Sequence, residues 1–328
     1  MMYAKRSIII FIGIVLIAMG SSGWTAENYP NKTIQFIVPV AAGGAIDLSA
    51  RIIAAKIQES WGQPVIVVNK PGAGGAIGAA FVATSKADGY TLLAYAGGGG
   101  FECLPILNPT VTYKVSDFVP IASVMKTPQV AIPHKDFPAK TFAEMVEYVK
   151  THPGTVSYAS IGIGNYGHLL MELLKQSRNI QLDIQQIPYP GGAPALTAVL
   201  GNHCQVGILP LGVVTKLVAS GEIRALTVFS TKRSPFLPQV STAVEQGYPE
   251  LIGETYFIYY APARTPLPIV KKLQDIIAKI MQDKGVAEKM ANFDVTVDFM
   301  NSQDTQRFLD HSVKTLEPVI RKANISIK

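Results

Sequence analysis

Four times along this chain an apolar run closes in two or more glycines, and a helix start follows at once. The segments are Val40–Asp47 (VAAGGAID), Asn69–Ala76 (NKPGAGGA), Ser160–His168 (SIGIGNYGH) and Tyr189–Pro194 (YPGGAP). Glycine has no Cβ, so it turns the chain sharply and lets another molecule approach the backbone. Short β-branched runs joined by such turns to amphipathic segments predict α/β layers. The 328 residues suffice for two domains of ordinary size.

Thr33 to Val40 predicts a buried strand. Leu48, Ile52, Ala55 and Ile57 then repeat at helical spacing up to Gly62, with Asp47 at the N-cap. Val65 to Val68 and Tyr90 to Tyr95 predict strands, with a helix from Ala76 to Lys86 between them. Val119 to Ile132 reads as extended but interrupted by Pro128, as suits a segment leaving one domain for another. Thr141 to Glu144 fits a capping box ahead of the stripe Phe142, Met145, Val146 and Val149. Val156 to Ser160, Asp183 to Ile187, Val206 to Leu209, Ile223 to Phe229 and Tyr256 to Ala261 predict further strands. Thr265 stands as N-cap, with Pro266 near the first position of a helix reaching Gln282. Asp294 to Phe299 closes the strands, and an amphipathic helix runs from Ser302 to Lys322.

The amino terminus reads as an address. Lys5 and Arg6 precede an apolar run from Ile8 to Met19, followed by Gly20, Ser21, Ser22 and Gly23. A dozen helical residues span about 18 Å, short of a bilayer core of about 30 Å. The plan is that of a secretory signal peptide over residues 1–23, with Ala26 as a later cut. The expected product is soluble and exported. Charged residues are 16% and hydrophobic ones 48%, which excludes a disordered chain. The net charge of +6 is scattered, so no nucleic-acid stripe is expected. Cys103 and Cys204 form no CxxC, which leaves no cysteine-held metal.

The glycine segments carry the chemistry. Helix N-termini present unpaired N–H groups and about half a positive charge. In an open parallel sheet these ends share the carboxyl edge, where ligands bind. Lys70 is the one Lys or Arg within the segments, whereas a phosphate site usually adds a basic fork. A small carboxylate can be held by neutral donors. Each helix terminus contributes about 0.3–1 kcal/mol and each hydrogen bond to a charged group about 1.5–3 kcal/mol. Several together reach the ~8 kcal/mol of a micromolar complex. His168 reads equally as a ligand donor or a packed histidine, and Asp47 as a plain cap or a ligand residue.

The motifs of common enzymes are missing. The five histidines form no HExxH, and neither G-x-S-x-G nor GxxxxGK[ST] occurs. Gly72 to Gly78 is one residue off GxGxxG and has no acidic residue at a strand end about 20 positions on. No catalysis, no metal and no cofactor are expected.

VPVAAGGAID, NKPGAGGAIGAAFVATSKADGYTLL, PYPGGAPALTAVLGN, SGEIRALTVFS and APARTP occur in this order. In these motifs, from Tyr29 to the C-terminus, the chain resembles the Bug-type (Bordetella uptake gene type) solute-binding proteins of tripartite tricarboxylate transporters. The resemblance implies an α/β, type II periplasmic binding fold with two domains, a central cleft and a two-segment hinge. It implies a receptor that binds organic carboxylates, partly through ordered waters, and hands them to integral-membrane permease subunits. One pincer would be Ala41, Ala42, Gly43, Gly44 and Asp47. The other would comprise Ser160, Gly162, Gly164, Asn165 and His168, with Tyr189, Gly191, Gly192 and Ala193. Gly97 and Gly98 would add a loop poor in polar groups, and Leu209 stands where relatives often place an acid. With Tyr256 in place of a common Trp, these departures imply an apolar distal pocket and a monocarboxylate with an apolar body.

On this basis residues 27–127 plus 254–328 form one domain and 128–253 the other. Lys126–Pro128 and Glu254–Tyr256 form the hinge, and a monomer is expected. A Cys103–Cys204 disulfide is disfavoured, because it would join the domains and restrain closure. Gly44→Val is expected to weaken binding sharply by filling the approach and resisting φ > 0. A ligand sensor and an exported enzyme on the same scaffold stand as alternatives.

Overall fold

The computed structural model describes residues 28–327, so the expected leader and its expected cleavage positions lie outside the described residues. The chain opens with β1 (Ile34–Val38), α1 (Ala45–Trp61), β2 (Val65–Asn69), α2 (Ala76–Ala83) and β3 (Thr91–Gly97). A short helix α3 (Leu104–Leu107) leads into β4 (Phe118–Pro133), sixteen residues long. The strand–helix pattern then resumes with α4 (Phe142–Thr151), β5 (Val156–Ser160), α5 (Tyr166–Ser177) and β6 (Ile184–Pro188). It continues through α6 (Gly192–Leu200), β7 (Val206–Pro210), α7 (Leu211–Ala219) and β8 (Thr227–Phe229). The chain returns through β9 (Glu254–Pro262) and ends with α8 (Leu267–Met281), α9 (Lys284–Ala291), β10 (Thr296–Asn301) and α10 (Ser302–Lys322).

The strands lie in the order β2-β1-β3-β9-β4-β7-β5-β6, with β10 and β8 also paired to β4. Two parallel trios therefore flank an antiparallel centre, and the sheet is mixed rather than parallel throughout. β4 belongs to both halves. Up to Pro128 it pairs with β9, and from Gln129 to Pro133 with β7. Pro128 does not interrupt it: Pro128 lies opposite Glu254, and the Gln129 amide donates to the Gly253 carbonyl at 2.8 Å.

Apolar residues cover both faces of each half. In the first, α1, α8 and α9 bury Ile53, Ile57, Leu273 and Ile277 on one face. On the other, α2 and α10 close over Leu93, Tyr95, Ile258 and Tyr260. In the second half, α4 and α5 cover Tyr158 and Ile208, while α6 and α7 cover Ala159, Val130 and Leu209. A fully buried Leu or Ile contributes about 1.5–3 kcal/mol, so these faces outweigh local propensity. A fifth cluster joins the halves, with Cys103, Leu107, Leu316 and Ile320 against Leu169 of α5.

Four local expectations need correction. Helix α1 is capped by Gly44, and Asp47 lies inside its first turn. Pro266, not Thr265, caps α8, and the helix starts at Leu267. α2 stops at Ala83 rather than Lys86, where the Thr84 and Ser85 hydroxyls bond back to the Phe81 carbonyl. The strand expected at Ile223–Phe229 is regular only over Thr227–Phe229. Cys103 and Cys204 are both buried and free, so the disulfide does not form.

Candidate ligand-binding site

Strand register carries the glycine segments toward the crossing. β3 ends at Gly97 opposite Tyr256, two residues from the Glu254–Pro128 pair. β7 ends at Pro210 opposite Gln129, the next residue of β4. The carboxyl ends of both trios thus point at the crossover. Within each half the segments sit side by side, for Lys70 N donates to Val38 O at 2.9 Å and Tyr189 N to Ser160 O at 2.8 Å.

The first segment is open. Ala41, Ala42, Gly43 and Gly44 are exposed, and a Cβ on either glycine would meet nothing within 4 Å. Gly43 takes the left-handed φ of +92° and donates its amide to Asp47 Oδ2 at 2.9 Å. Asp47 is only 1% exposed. Its Oδ1 accepts from Arg51 Nη2 and Asn69 Nδ2, both at 2.9 Å, and its Oδ2 from Arg51 Nε at 3.1 Å. Burial alone would raise the carboxyl pKa, but the Arg51, Gly43 and Asn69 bonds outweigh it and hold it below 3.8. Asp47 braces the turn and has no face toward a ligand. The helix start beyond it has no side-chain cap.

The segment starting at Ser160 is largely self-satisfied. Ser160 is fully buried, and its hydroxyl donates to Gly162 O and accepts from Gln186 Nε2. Asn165 caps α5, accepting from the Gly167 and His168 amides. Gly164 N donates to His168 Nδ1 at 3.0 Å. Gly162 alone of this group has open space around it.

His168 is therefore a packed histidine that accepts at Nδ1. Burial pushes its pKa below 6.5; Lys175 adds to this and Glu172 opposes it. Between 6.5 and that lower value the unfolded chain binds a proton that the folded chain refuses, so stability falls as pH drops through this window. Melting temperatures from pH 8 to 5 should decline below 6.5, and His168→Gln should flatten the decline. An unchanged slope in that variant would refute the assignment.

At the fourth segment α6 starts on Gly191 in extended backbone with no side-chain cap, and Ala193 is exposed. Gly192 is a packing glycine, since a Cβ there would stand 2.4 Å from Val213 Cγ2. Tyr189 is half-buried, with its hydroxyl 3.7 Å from Cys204 Sγ.

Gly97, Gly98 and Leu209 do not line an opening. Leu209 is fully buried in the second half's core. Gly97 and Gly98 are buried under Ile258, Leu309, Phe308 and Tyr166. The Gly98 and Gly99 amides donate to Glu102 Oε1 at 2.8 and 2.7 Å, so the chain's own carboxylate fills that nest. The Tyr166 ring lies 3.4 and 3.3 Å from where a Cβ would stand on Gly98 and Gly99, which brings loops of the two halves together.

Sequence reasoning passed over Arg51, Asn69, Gln186 and Glu102. One spacing could have found the loop acceptors. Asp47, Glu102 and His168 each stand four residues after the glycine whose amide they accept, Gly43, Gly98 and Gly164. Gly44 and Gly191 are followed at that distance by Leu48 and Ala195, which cannot accept.

Residues 49–325 match the family described as tripartite tricarboxylate transporter family receptor. The chain belongs to this family. It is 34% identical over 319 residues to Protein BugT of Bordetella pertussis, covering 97% of each chain. It superposes on Rpa4515 of R. palustris with adipate at a TM-score of 0.76 and 29% identity, over 91% of this chain and 99% of that one. MatC (Rpa3494) from Rhodopseudomonas palustris with bound malate gives 0.73 and 27%, over 89% and 100%. The fold is the two-domain α/β fold of periplasmic binding proteins, and the protein is a solute-binding receptor rather than an enzyme.

Proposed function

We propose that this receptor captures a small organic carboxylate in the periplasm and delivers it to the integral-membrane subunits of a tripartite tricarboxylate transporter. The carrying observation is a pair of glycine turns, one in each half, that open to solvent at a helix start without a side-chain cap. α1 at Gly44 and α6 at Gly191 have no side-chain cap, and the residues around them reach solvent. Asn165, His168 and Glu102 take up the amides before α5 and after β3, and at α2 the start itself, Gly75 and Ala76, is buried. Each uncapped terminus favours an anion.

Residues 27–127 plus 254–328 and residues 128–253 act as the two domains, after removal of a leader over residues 1–23. They close as a monomer by bending near Lys126–Pro128 and Glu254–Tyr256. Lys126 holds Glu254 at 3.0 Å and Asp298 at 2.9 Å, so both crossing strands share one ion-pair cluster. One glycine turn open to solvent at a helix start in each domain suits a dicarboxylate spanning them. The adipate and malate of the relatives favour that class over the monocarboxylate suggested by the sequence departures. Calorimetry with adipate, malate and benzoate tests this choice. A diacid should bind near micromolar Kd, about 8 kcal/mol, and benzoate at least about tenfold more weakly. Tighter benzoate binding would restore the monocarboxylate, and a folded protein silent to all carboxylates would end the proposal.

A further inference from the structure

A cavity of about 510 Å³ lies where α10 and α5 meet the two crossing segments. Its apolar wall is made by Tyr166, Leu173, Ile252, Tyr256, Phe308 and Leu316. Neither Ala41–Gly44 nor Gly191–Ala193 lines it, so it is separate from the carboxylate site proposed above. The volume falls within the roughly 300–1,000 Å³ usual for small-molecule sites.

The charges on its wall decide what fits. Lys126 is held by Glu254 and Asp298, and Glu250 accepts from Arg178 Nη2 at 2.9 Å. Tyr256 donates to Glu254 Oε2 at 3.0 Å, which further occupies that carboxylate. Every Lys or Glu on the wall is thus answered from within the protein. An entering ion would have to displace one of these pairs, whereas a neutral molecule would leave them intact. Tyr166 donates its hydroxyl to the Ile252 carbonyl at 2.9 Å, and the remaining polar groups are the hydroxyls of Thr231, Ser312 and Thr315 and the ring of His311. Ser312 donates to Glu102 Oε1, which leaves its oxygen free to accept.

We propose that this cavity is a second binding site, for an uncharged and mainly apolar molecule of substituted-benzene size carrying one hydroxyl or amide. The apolar body packs between the Phe308 and Tyr256 rings and Leu173, and the polar head reaches the threonine hydroxyls or His311. This chemistry is opposite to that of the anion site, so the two can be titrated independently.

The test uses the exported protein, with benzyl alcohol and benzamide as neutral probes and benzoate as the charged one, read by ligand-observed NMR and crystal soaking. Two variants narrow the cavity: Thr315→Phe on α10, and Ile252→Trp at the exposed rim, where folding is not at stake. Both neutral probes should saturate, with electron density against Phe308. Each variant should weaken them about tenfold or more, while adipate affinity stays within about twofold. Failure of both probes to saturate below about 20 mM, a range where even fragment-sized ligands register, would overturn the proposal. So would variants that bind the probes as the parent does, or benzoate entering this cavity as readily as benzamide. Loss of adipate binding with retained benzamide binding would count only against the carboxylate site.

Discussion

Gly44→Val is expected to fold with nearly the parent's stability and to lose carboxylate affinity by about 100-fold or more. The stability follows from backbone geometry. Gly44 has φ −78° and ψ 166°, an extended conformation that valine prefers, so no strain accompanies the change. The expectation of a left-handed conformation at this residue was misplaced by one position, for it is Gly43 that has φ +92°. The affinity loss follows from the empty space beside Gly44, which a branched side chain would fill across the helix start. Blocking two hydrogen bonds to a charged group removes about 3 kcal/mol or more, the stated factor. Gly43→Val is the matched control. It forces a β-branched residue into a left-handed turn and should cost about 1–3 kcal/mol of stability, whatever it does to binding. Paired denaturation and calorimetry separate the two, and wild-type affinity in folded Gly44→Val would remove this loop from the site.

The same pair shows how far the sequence could be read. Glycine position is local information, so all four turns were visible as breaks between a β-branched run and a helical one. The long β4 was visible as an extended stretch through Val119–Ile132, and Pro128 seemed to end it. Proline is harmless there because the neighbouring Gln129 amide makes the bond to Gly253 that carries the strand across. What stayed hidden was which of these local bonds the rest of the fold covers. The Gly98–Glu102 bond is buried under α10, whose Ser312 donates to Glu102 from 210 positions away. Leu209 failed for a related reason: a departure from a family pattern marks a position, but the side chain there points into a core already filled by Val130 and Val214. The open helix starts, by contrast, follow from an absence readable in the string, since no acceptor stands four residues after Gly44 or Gly191.

Glu102→Ala should be strongly destabilising, costing about 3–5 kcal/mol. Glu102 is 1% exposed, and its Oε1 accepts from the Gly98 amide, the Gly99 amide and the Ser312 hydroxyl, the last at 2.5 Å. Removing the carboxylate leaves three buried donors without an acceptor, and each unsatisfied donor costs about 1–3 kcal/mol. Glu102→Gln keeps an acceptor oxygen in the same place. Its amide nitrogen would occupy the position of Oε2, which has no partner among the described residues, so the loss should be smaller, about 1–2 kcal/mol. The nest is then available to a small anion in the alanine variant. Formate should raise the melting temperature of Glu102→Ala with rising concentration, by mass action, and by more than it raises that of the parent. Equal damage from Gln and Ala, together with no response to formate, would show that Glu102 acts through packing alone. A positive response would demonstrate within one chain the capacity assigned to Gly44 and Gly191, namely that glycine amides at a strand end bind a carboxylate without any basic side chain.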